Sequence, residues 1–499
     1  MSNLKSDLRI SQKNESYLIV DSDDRGILME LSDFFTFRVP GYQFMPSYRN
    51  KMWDGNIRLY NTKTKEIYVG LYKHILKFAE AKGREYSVES TYNLNEQDFD
   101  VDQFINSIHY SSKSKKINPY DEQKLAIEHS IQKKRALIVS PTASGKSLII
   151  YSIVRWFLAN RSGKLLIIVP TTSLVEQMYS DFEDYSEFDS GYDNESTAHR
   201  IYSGKDKQTD KRVLISTWQS IYRLQGKYFE DFSAVIGDEA HQHKATSLVS
   251  IMTKLVNADI RIGTTGTLDG TLTNELVLQG LFGPIKTITT TKKLIEKGNL
   301  AELNISILAL KYADDERKYV SKLDYQNEID YIVRSEKRNK FIRNLALDQK
   351  GNTLILFQFV DKHGKPLYEM IKERIEDNRK LFYVSGETDA KTREEIRKIT
   401  ETESNAILVC SFGTFSTGVN IKNIHNIIFA SPSKSQIRIL QSIGRGLRKS
   451  DDGRATALYD LVDDLSWKKK ENFALKHGKE RIKLYGKQQF PFKLYEVPI

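Results

Sequence analysis

The stretch Ser140-Pro-Thr-Ala-Ser-Gly-Lys-Ser147 constrains this chain more than any other feature. The apolar run 136–139 before it predicts a buried strand, and residues 148–158 after it predict a helix. Backbone N–H groups of such a loop and the positive end of the following helix point at one spot, so a polyphosphate fits there. Ser140 replaces the first glycine of the usual phosphate-loop pattern, so an ordinary strand-to-helix turn stays an alternative.

Residue types within the loop suit separate parts of nucleotide binding. Gly145 lets the backbone approach a phosphate, Lys146 can reach the β and γ phosphates, and Ser147 can offer its hydroxyl to Mg²⁺. The small Ala143 should preserve the cradle. The residues predicted to bind the nucleotide are Thr142, Ala143, Ser144, Gly145, Lys146 and Ser147.

Bulk properties exclude several classes of protein. A chain of 499 residues is too long for one core, so several domains are expected. The single cysteine, Cys410, excludes a disulfide framework and is expected in a buried strand. No apolar run approaches membrane-spanning length and no signal-peptide pattern is present, so we expect a cytoplasmic protein without a membrane partner. A net charge of +10 permits a polyanionic partner.

Residues 1–104 predict a small basic α+β domain, followed by a linker at 105–117. Residues 34–84 hold ten Lys/Arg against three Asp/Glu, interleaved with aromatic residues. Cations among aromatics suit a surface that neutralises phosphates and stacks on bases, although aromatics are more often core and lysines are more often simply solvated. The best candidates for nucleic-acid contact are Arg49, Lys51, Trp53 and Arg58.

Strands and helices then alternate over 118–290, which predicts a parallel α/β sheet. Polar residues gather just past the strand ends, where such sheets bind ligands. Asp238 ends one strand and can hold Mg²⁺ opposite the Ser147 hydroxyl, and Glu239 can deprotonate the water that attacks the γ phosphate. Gln123, about twenty residues before the phosphate loop, could read adenine or could be an ordinary helix-surface residue.

A second α/β run over 291–465 has no phosphate loop of its own, and a basic tail follows at 466–499. Arg445 and Arg448 lie three residues apart, so a helix would place them on one face, where two guanidiniums suit a γ phosphate. A solvated basic face is the alternative. The tail could bind a duplex or pack on the second domain, and the sequence does not separate these options.

The motifs, taken in order, resemble those of superfamily 2 helicases. They are Gln123, the loop 140–147, Pro170-Thr-Thr172, Ser216-Thr-Trp-Gln219, Asp238-Glu-Ala-His241, Thr265-Gly-Thr267, the stretch 411–418 and Gln441-x-x-Gly-Arg-x-x-Arg448. The basic N-terminal block with Trp53-Asp-Gly55 and the Leu294-Ile-Glu-Lys-Gly298 segment resemble the UvsW-type DNA helicases of tailed phages. The resemblance implies an α/β fold with two RecA-like parallel-sheet domains in tandem after the small α+β domain.

The resemblance also implies roles for the motif residues, with ATP and Mg²⁺ as cofactors. Catalysis would fall to Lys146, Asp238, Glu239, Gln441, Arg445 and Arg448, with Gln123 on adenine and Ser147 and Asp238 on the metal. Coupling of hydrolysis to movement would fall to His241, Thr265, Gly266, Thr267 and Gly418. The strand backbone would be held by Pro170, Thr171, Thr172, Thr217, Trp218, Gln219, Ser411 and Thr414.

The leading hypothesis is therefore a monomeric ATP-dependent DNA motor for branched DNA or RNA–DNA hybrids, in the cytoplasm of an infected bacterium. The alternatives are an RNA helicase and a non-catalytic annealing or binding protein. The motor of a restriction complex is disfavoured, because the sequence carries no nuclease or methyltransferase signature. A basic flanking domain on a motor that does not read sequence fits structure-specific binding. Removing residues 1–100 should therefore weaken branched-DNA binding and its salt dependence while sparing much of the ATPase.

Overall fold

The computed structural model describes residues 6–89, 98–242, 245–268, 270–417, 421, 423–433, 435–447 and 453–499. The chain divides into two compact units, Met1–Ser140 with Gly145–Ile288, and Pro141–Ser144 with Thr289–Ile499. Among the residues so described, no helix is long and apolar enough to cross a bilayer.

A small α+β domain opens the first unit. Its strands are β1 (Leu8–Gln12), β2 (Tyr17–Asp21), β3 (Thr36–Arg38), β4 (Asn56–Arg58), β5 (Tyr60–Asn61), β6 (Glu66–Tyr68) and β7 (Tyr86–Glu89). Its helices are α1 (Arg25–Phe34), α2 (Pro46–Arg49) and α3 (Tyr72–Ala81), with 3₁₀ turns at Tyr42–Phe44 and Val69–Leu71. One sheet has the order β5-β6-β2-β1-β7, and β3 pairs with β4 in a separate antiparallel ribbon.

A seven-stranded parallel sheet forms the rest of the first unit, in the order β12-β13-β11-β14-β15-β10-β16. Its strands are β10 (Arg135–Val139), β11 (Lys164–Val169), β12 (Ala198–Ile201), β13 (Val213–Thr217), β14 (Phe232–Gly237), β15 (Ile260–Thr265) and β16 (Ile285–Thr287). The helices of this region are α4 (Val101–Asn106), α5 (Asp121–Lys133), α6 (Lys146–Asn160), α7 (Thr172–Ser186), α8 (Asn194–Thr197), α9 (Trp218–Ile221), α10 (Ala245–Met252) and α11 (Leu272–Phe282). Two 3₁₀ turns lie at Gly226–Phe229 and Ala240–Gln242.

Residues 111–116, which the sequence predicted within a linker, form a small hairpin of β8 (Ser111–Ser112) and β9 (Lys115–Lys116). Asp184 at the end of α7 holds this hairpin. Its carboxylate accepts hydrogen bonds from the Ser112 hydroxyl at 3.0 Å and from the Lys113 backbone N–H at 2.6 Å. A polar, lysine-rich composition therefore marks an anchored surface element here and not a free tether.

The second unit holds another seven-stranded parallel sheet, in the order β19-β20-β18-β21-β22-β17-β23. Its strands are β17 (Leu303–Lys311), β18 (Thr353–Phe357), β19 (Leu381–Val384), β20 (Ile407–Ser411), β21 (Asn426–Phe429), β22 (Thr456–Asp464) and β23 (Phe492–Pro498). Its helices are α12 (Thr291–Glu296), α13 (Asp314–Val320), α14 (Tyr325–Arg334), α15 (Glu336–Asp348), α16 (Lys365–Lys372), α17 (Ala390–Thr402), α18 (Phe412–Thr417), α19 (Gln436–Gly446) and α20 (Phe473–Lys487), with a π-helical turn at Val360–Gly364. The predicted fold class, two tandem parallel-sheet domains after a small α+β domain, is confirmed.

The segment predicted as a basic tail belongs to the second sheet. Helix α20 packs its fully buried Arg481 against Asp460 of β22, with Nε 2.9 Å from Oδ2. The Tyr485 hydroxyl donates to the same Oδ2 at 2.8 Å. Strand β23 then pairs in parallel with β17. The sequence left open whether this segment binds a duplex or packs on the second domain. In the structure it packs within the second unit.

The N-terminal domain shares one hydrophobic core with a face of the first parallel sheet. Buried side chains of both, among them Leu31 and Phe78 on one side and Leu137 and Phe282 on the other, belong to a single cluster. Polar contacts add to the join, since Arg135 pairs with Glu15 and the fully buried Arg261 donates to the Ser16 hydroxyl at 2.9 Å. The domain is therefore built onto the sheet, and deleting residues 1–100 would expose the apolar face of the sheet.

Gly70 tests this joint because its backbone touches the neighbouring element directly. A Cβ added at Gly70 would lie 1.9 Å from the carbonyl oxygen of Gln279 in α11. We expect Gly70→Ala to lower the free energy of unfolding of the first unit by about 1–3 kcal/mol, because backbone must move to admit the methyl group. Urea unfolding of the full chain measures it. Gly226→Ala, where the added Cβ meets nothing within 4 Å, should be neutral; equal stability of the two variants would contradict a rigid joint.

Candidate active site

The phosphate loop joins the end of β10 to the start of α6 at Lys146. Ala143 and Gly145 have left-handed φ angles of 67° and 78°. The strain at Ala143 costs about 1 kcal/mol, a cost typical of functional turns. Because α6 begins at Lys146, the positive end of the helix dipole lies at the loop, where it favours a bound anion.

Gln123 lies directly against this loop. It occupies the first turn of α5, and its side-chain oxygen accepts a hydrogen bond from the Tyr120 backbone N–H at 2.8 Å. A Cβ added at Gly145 would lie 2.1 Å from the Gln123 amide nitrogen. The glycine is therefore required for contact with Gln123 as well as for its φ angle. The predicted adenine-reading side chain is fixed beside the predicted phosphate cradle.

Lys146, Asp238 and Glu239 converge at the carboxyl edge of the first sheet. The Lys146 ammonium lies 3.5 Å from a Glu239 carboxylate oxygen, and both side chains are only about a tenth exposed. The same ammonium lies 3.5 Å from the carbonyl oxygen of Ser140. Glu239 has a left-handed φ of 47°, an uncommon conformation for a non-glycine residue. The loop and the acidic pair, which are far apart in sequence, thus form one site.

Hydrogen bonds hold the Asp238 carboxylate in a fixed orientation. One oxygen accepts from the Thr264 hydroxyl at 2.7 Å and from the Glu239 backbone N–H at 2.9 Å. Burial and the neighbouring Glu239 carboxylate raise the pKa of Asp238 to about 6, against the opposing effects of Lys146 and Thr264. A bound cation would offset this raised pKa by favouring the ionised carboxylate.

The residues predicted to bind Mg²⁺ have suitable chemistry. Ser147 supplies a hydroxyl oxygen and Asp238 a carboxylate oxygen, the hard donors that this ion prefers. Within the described ranges, no cluster of three or more His, Cys, Asp or Glu side chains could hold a metal by itself. Mg²⁺ commonly binds through one or two protein ligands together with substrate phosphates, so a small donor set fits it.

Tyr185 is a neighbour of this site that the sequence did not reveal. Its hydroxyl lies 2.8 Å from the Ser147 Oγ, within hydrogen-bond distance. Tyr185 stands near the end of α7, 38 residues beyond Ser147, so no spacing rule connects the two. Thr264 was missed too, although it directly precedes the motif Thr265–Thr267 and could have been found by extending it.

A short relay connects the acidic motif to the end of β15. The His241 Nδ1 lies 2.5 Å from the Thr265 hydroxyl and 3.6 Å from a Glu239 carboxylate oxygen. The Thr265 hydroxyl donates its only proton to the Thr267 carbonyl oxygen at 2.9 Å. His241 Nδ1 must therefore carry the proton of its bond to Thr265. The predicted coupling residues His241, Thr265 and Thr267 thus lie together, with Gly266 between the two threonines.

The predicted strand-binding residues of the first unit follow two adjacent strands, β11 and β13. Thr171 caps α7 and Thr217 precedes α9. The Gln219 side chain donates to the Pro170 carbonyl oxygen at 3.2 Å, which joins the two segments. Thr172 and Gln219 are exposed, whereas Trp218 is half-buried and packs on Tyr222.

The predicted residues of the second unit lie on α18 and α19 and at the end of β20. The Ser411 and Thr414 hydroxyls lie 2.7 Å apart and are buried. Gln441 and Arg445 are four apart on α19, so they share a face. As described, α19 runs to Gly446. The prediction that Arg445 and Arg448 share a helix face falls on Arg448, which lies outside the described residues, as does Gly418.

Cys410 is buried in β20, as expected from the sequence. Burial raises the pKa of its thiol to about 12. The residue is therefore an inert core side chain.

The N-terminal candidates are divided by their surroundings. Arg49, Lys51 and Arg58 are exposed, whereas Trp53 is half-buried and its indole N–H donates to the Asn56 carbonyl oxygen at 2.8 Å. The Arg58 guanidinium pairs with Asp54 at 2.5 Å and, with backbone N–H groups, lowers the pKa of that carboxyl. The cations face solvent, and the tryptophan serves mainly as structure.

Comparison with known proteins extends over the whole chain. The family described as the res subunit of type III restriction enzymes matches residues 116–270, the N-terminal domain of the DNA helicase UvsW matches residues 7–89, and the helicase conserved C-terminal domain matches residues 336–450. The ATP-dependent DNA helicase UvsW of Enterobacteria phage T4 is 34% identical, covering 98% of this chain and 99% of the relative. The crystal structure of T4 UvsW covers 99% of both chains with a TM-score of 0.52 and 31% identity. The DNA 3'-5' translocase XPB2 of Sulfurisphaera tokodaii is 26% identical over 74% of this chain and 86% of its own length.

The tandem parallel sheets, the phosphate loop and these matches define the class of protein: the chain is a superfamily 2 helicase, an enzyme that hydrolyses ATP. The resemblance inferred from the order of motifs is confirmed. Within that class the chain belongs to the UvsW family of DNA helicases.

Tyr185 provides a test of the metal-binding role of Ser147. Ser147 can donate its proton to the Tyr185 oxygen and still bind Mg²⁺ through a lone pair of Oγ, so this hydrogen bond would orient the hydroxyl toward the metal. We therefore expect Tyr185→Phe to weaken Mg²⁺-dependent binding of a fluorescent ATP analogue by about 1 kcal/mol, or about fivefold. Titration of Mg²⁺ at constant nucleotide measures it, with Tyr179→Phe on the same helix as the control. An unchanged half-saturation point for Tyr185→Phe would contradict the assignment of Ser147.

Proposed function

We propose that this chain is an ATP-driven motor for branched DNA, with RNA–DNA hybrids as further substrates, in recombination, repair and replication. The observation that carries the proposal is that the match to the T4 DNA helicase runs through the N-terminal domain as well as the motor domains. Nothing in the motor motifs reads base sequence, since their side chains are mostly hydroxyls suited to a backbone. We therefore assign the choice of substrate to the basic N-terminal domain.

In the hydrolytic step, Glu239 removes a proton from the water that attacks the γ phosphate. In the structure this carboxylate is paired with Lys146 at 3.5 Å. Because Lys146 is the side chain expected to bind the β and γ phosphates, ATP would draw it away and release Glu239 to act as base. Ser147 and Asp238 would hold Mg²⁺, which when bound neutralises charge on the phosphate oxygens. Gln123 would hold the adenine.

Gln441, Arg445 and Arg448 of the second unit complete the proposed catalytic set. A guanidinium supplied to the γ phosphate would stabilise the charge of the transition state. The relay of His241, Thr265 and Thr267, together with Gly266 and Gly418, would couple hydrolysis to movement. A change of contact after hydrolysis gives stepping along the strand held by Pro170–Thr172, Thr217–Gln219, Ser411 and Thr414.

The proposed motor works as a monomer with DNA as its partner. Each of its motif sets occurs once, and both parallel sheets of a helicase lie in one chain. Relationship to a phage helicase supports a place in the cytoplasm of an infected bacterium.

Glu239→Gln tests the proposed base. The amide keeps the size of the side chain but cannot accept the proton, so turnover should fall about 10²–10⁴-fold while ATP binding is retained. Steady-state phosphate release and equilibrium nucleotide binding measure the two effects, with the exposed Glu230→Gln as control. Hydrolysis at the wild-type rate by Glu239→Gln would refute the assignment.

Arg49→Ala combined with Lys51→Ala tests the N-terminal DNA contacts. Loss of two phosphate contacts should weaken binding of a forked duplex and reduce the slope of log affinity against log salt by about 2. Fluorescence anisotropy at several salt concentrations measures the slope. Lys63→Ala with Lys77→Ala removes two exposed charges from the same domain and should leave the slope unchanged. Identical slopes for the two double variants would contradict the contact.

A further inference from the structure

The two strands of the β3–β4 ribbon are joined by an unusually long connection. The strands pair antiparallel from Thr36 with Arg58 to Arg38 with Asn56, a geometry that a two-residue turn could close. Instead, residues 39–55 leave the ribbon and return to it, and they include α2 and a 3₁₀ turn. We call residues 39–55 the arm.

Internal contacts brace the arm. The Arg38 guanidinium lies 4.4 Å above the ring of Tyr42, which meets Tyr48 edge-on at 4.6 Å between centroids. Gly55 has a φ of 83°, and a Cβ added there would lie 2.7 Å from the Tyr42 ring. Trp53 closes the base of the arm through its bond to Asn56. Most aromatic side chains of the arm are therefore used to hold its shape.

Two large apolar side chains of the arm are exposed over most of their surface, more than the third exposed one, Met45, at 38%. Phe44 is 69% exposed and Met52 is 81% exposed. Burial of one such side chain stabilises a protein by about 1.5–3 kcal/mol. The arm leaves two of them exposed and so lacks this stabilisation at two positions. A single exposed apolar residue on a protein surface needs no explanation. Here two such residues belong to the same internally braced arm, in which the other aromatic side chains are packed.

The charged residues around Phe44 and Met52 indicate which kind of partner these two side chains contact. Residues 36–58 carry Arg38, Arg49, Lys51 and Arg58 against Asp54 alone. Asp54 is paired with Arg58, which leaves the surface positive. Apolar side chains flanked by cations match the combination of a base face and its phosphates. A surface that binds another protein usually has fewer charged residues at its centre than the arm has.

The domain that carries the arm is fixed to the first parallel sheet. Its domain shares a core with β10 and α11, and Gly70 and Gly280 allow backbone and ring contacts too close for any side chain. A Cβ added at Gly280 would lie 2.8 Å from the Tyr68 ring. The ribbon that carries the arm is therefore anchored on this core, since its Phe37 and Ile57 pack against the shared cluster.

We propose that the arm is a strand-separating element and that Phe44 and Met52 insert at the branch point of the DNA. This inference rests on the proposed function, and it names the residues that act on the junction. Apolar wedges that enter base steps unstack them at a cost of a few kcal/mol, which ATP hydrolysis can supply as the motor draws the duplex against a fixed arm. Arg49 and Lys51 hold the flanking phosphates during this step.

The test uses the full chain with Phe44→Ala and Met52→Ala combined, on a fork that carries 2-aminopurine at the branch point. Wild-type protein should raise the 2-aminopurine fluorescence on binding, because unstacking relieves its quenching, and the double variant should not. Strands separated per ATP hydrolysed should fall about tenfold, in line with the loss of base contacts of 1–3 kcal/mol. The control is Met29→Ala on α1 of the same domain, where the side chain is 53% exposed but lies outside the arm.

The possible results distinguish failure of the proposed role of the arm from failure of the proposed motor function. Wild-type protein that separates the fork, with an equal yield per ATP from the double variant, would overturn the role of the arm and leave the motor assignment standing. The same result would follow if the patch bound another protein. Wild-type protein that neither hydrolyses ATP with DNA nor separates the fork would overturn both. An equal loss in Met29→Ala would show a general effect of surface truncation and would contradict the inference.

Discussion

The active site depends on the register of one parallel sheet that is buried on both faces. The carboxyl ends of β10, β14 and β15 place the phosphate loop, the acidic pair and Thr264 at a single edge. The 2.7 Å bond from Thr264 to Asp238 and the 3.5 Å pair of Lys146 with Glu239 exist only in that register. A slip of one strand would separate Lys146, proposed to bind phosphate, from Glu239, proposed to activate water.

The same sheet carries the contacts to the N-terminal domain on one of its faces. Arg261 shows this role clearly. It lies in β15, four residues before Thr265, and its buried guanidinium reaches the Ser16 hydroxyl and the backbone of α10 and the residues after it. The strand that ends at the proposed coupling residue Thr265 therefore also holds the N-terminal domain in place. In the proposed motor, the N-terminal domain would move together with the first sheet.

Much of this could be predicted from the sequence, for physical reasons. Fully apolar strands such as β11 and the fixed order of motifs predicted the tandem sheets and the residues of the site. Local composition did not predict the structure of segments that pack against residues far away in the sequence. Strand β17 is apolar and mostly buried but lies among charged helices, which obscure it in the local composition. Strand β23 is exposed along nearly its whole length, so its residues show no core pattern. Composition also could not tell that Trp53 packs while Phe44 faces solvent, since both are aromatics in one basic block.

The most direct measurement is steady-state ATP hydrolysis with no nucleic acid, with single-stranded DNA, with a synthetic four-way junction and with single-stranded RNA. We expect the junction to stimulate turnover most strongly, because the basic domain and the motor domains then bind the same DNA together. Strongest stimulation by RNA would contradict the branched-DNA assignment and favour an RNA helicase. Absence of turnover under every condition would contradict the central claim that Lys146, Asp238 and Glu239 form a working hydrolytic site.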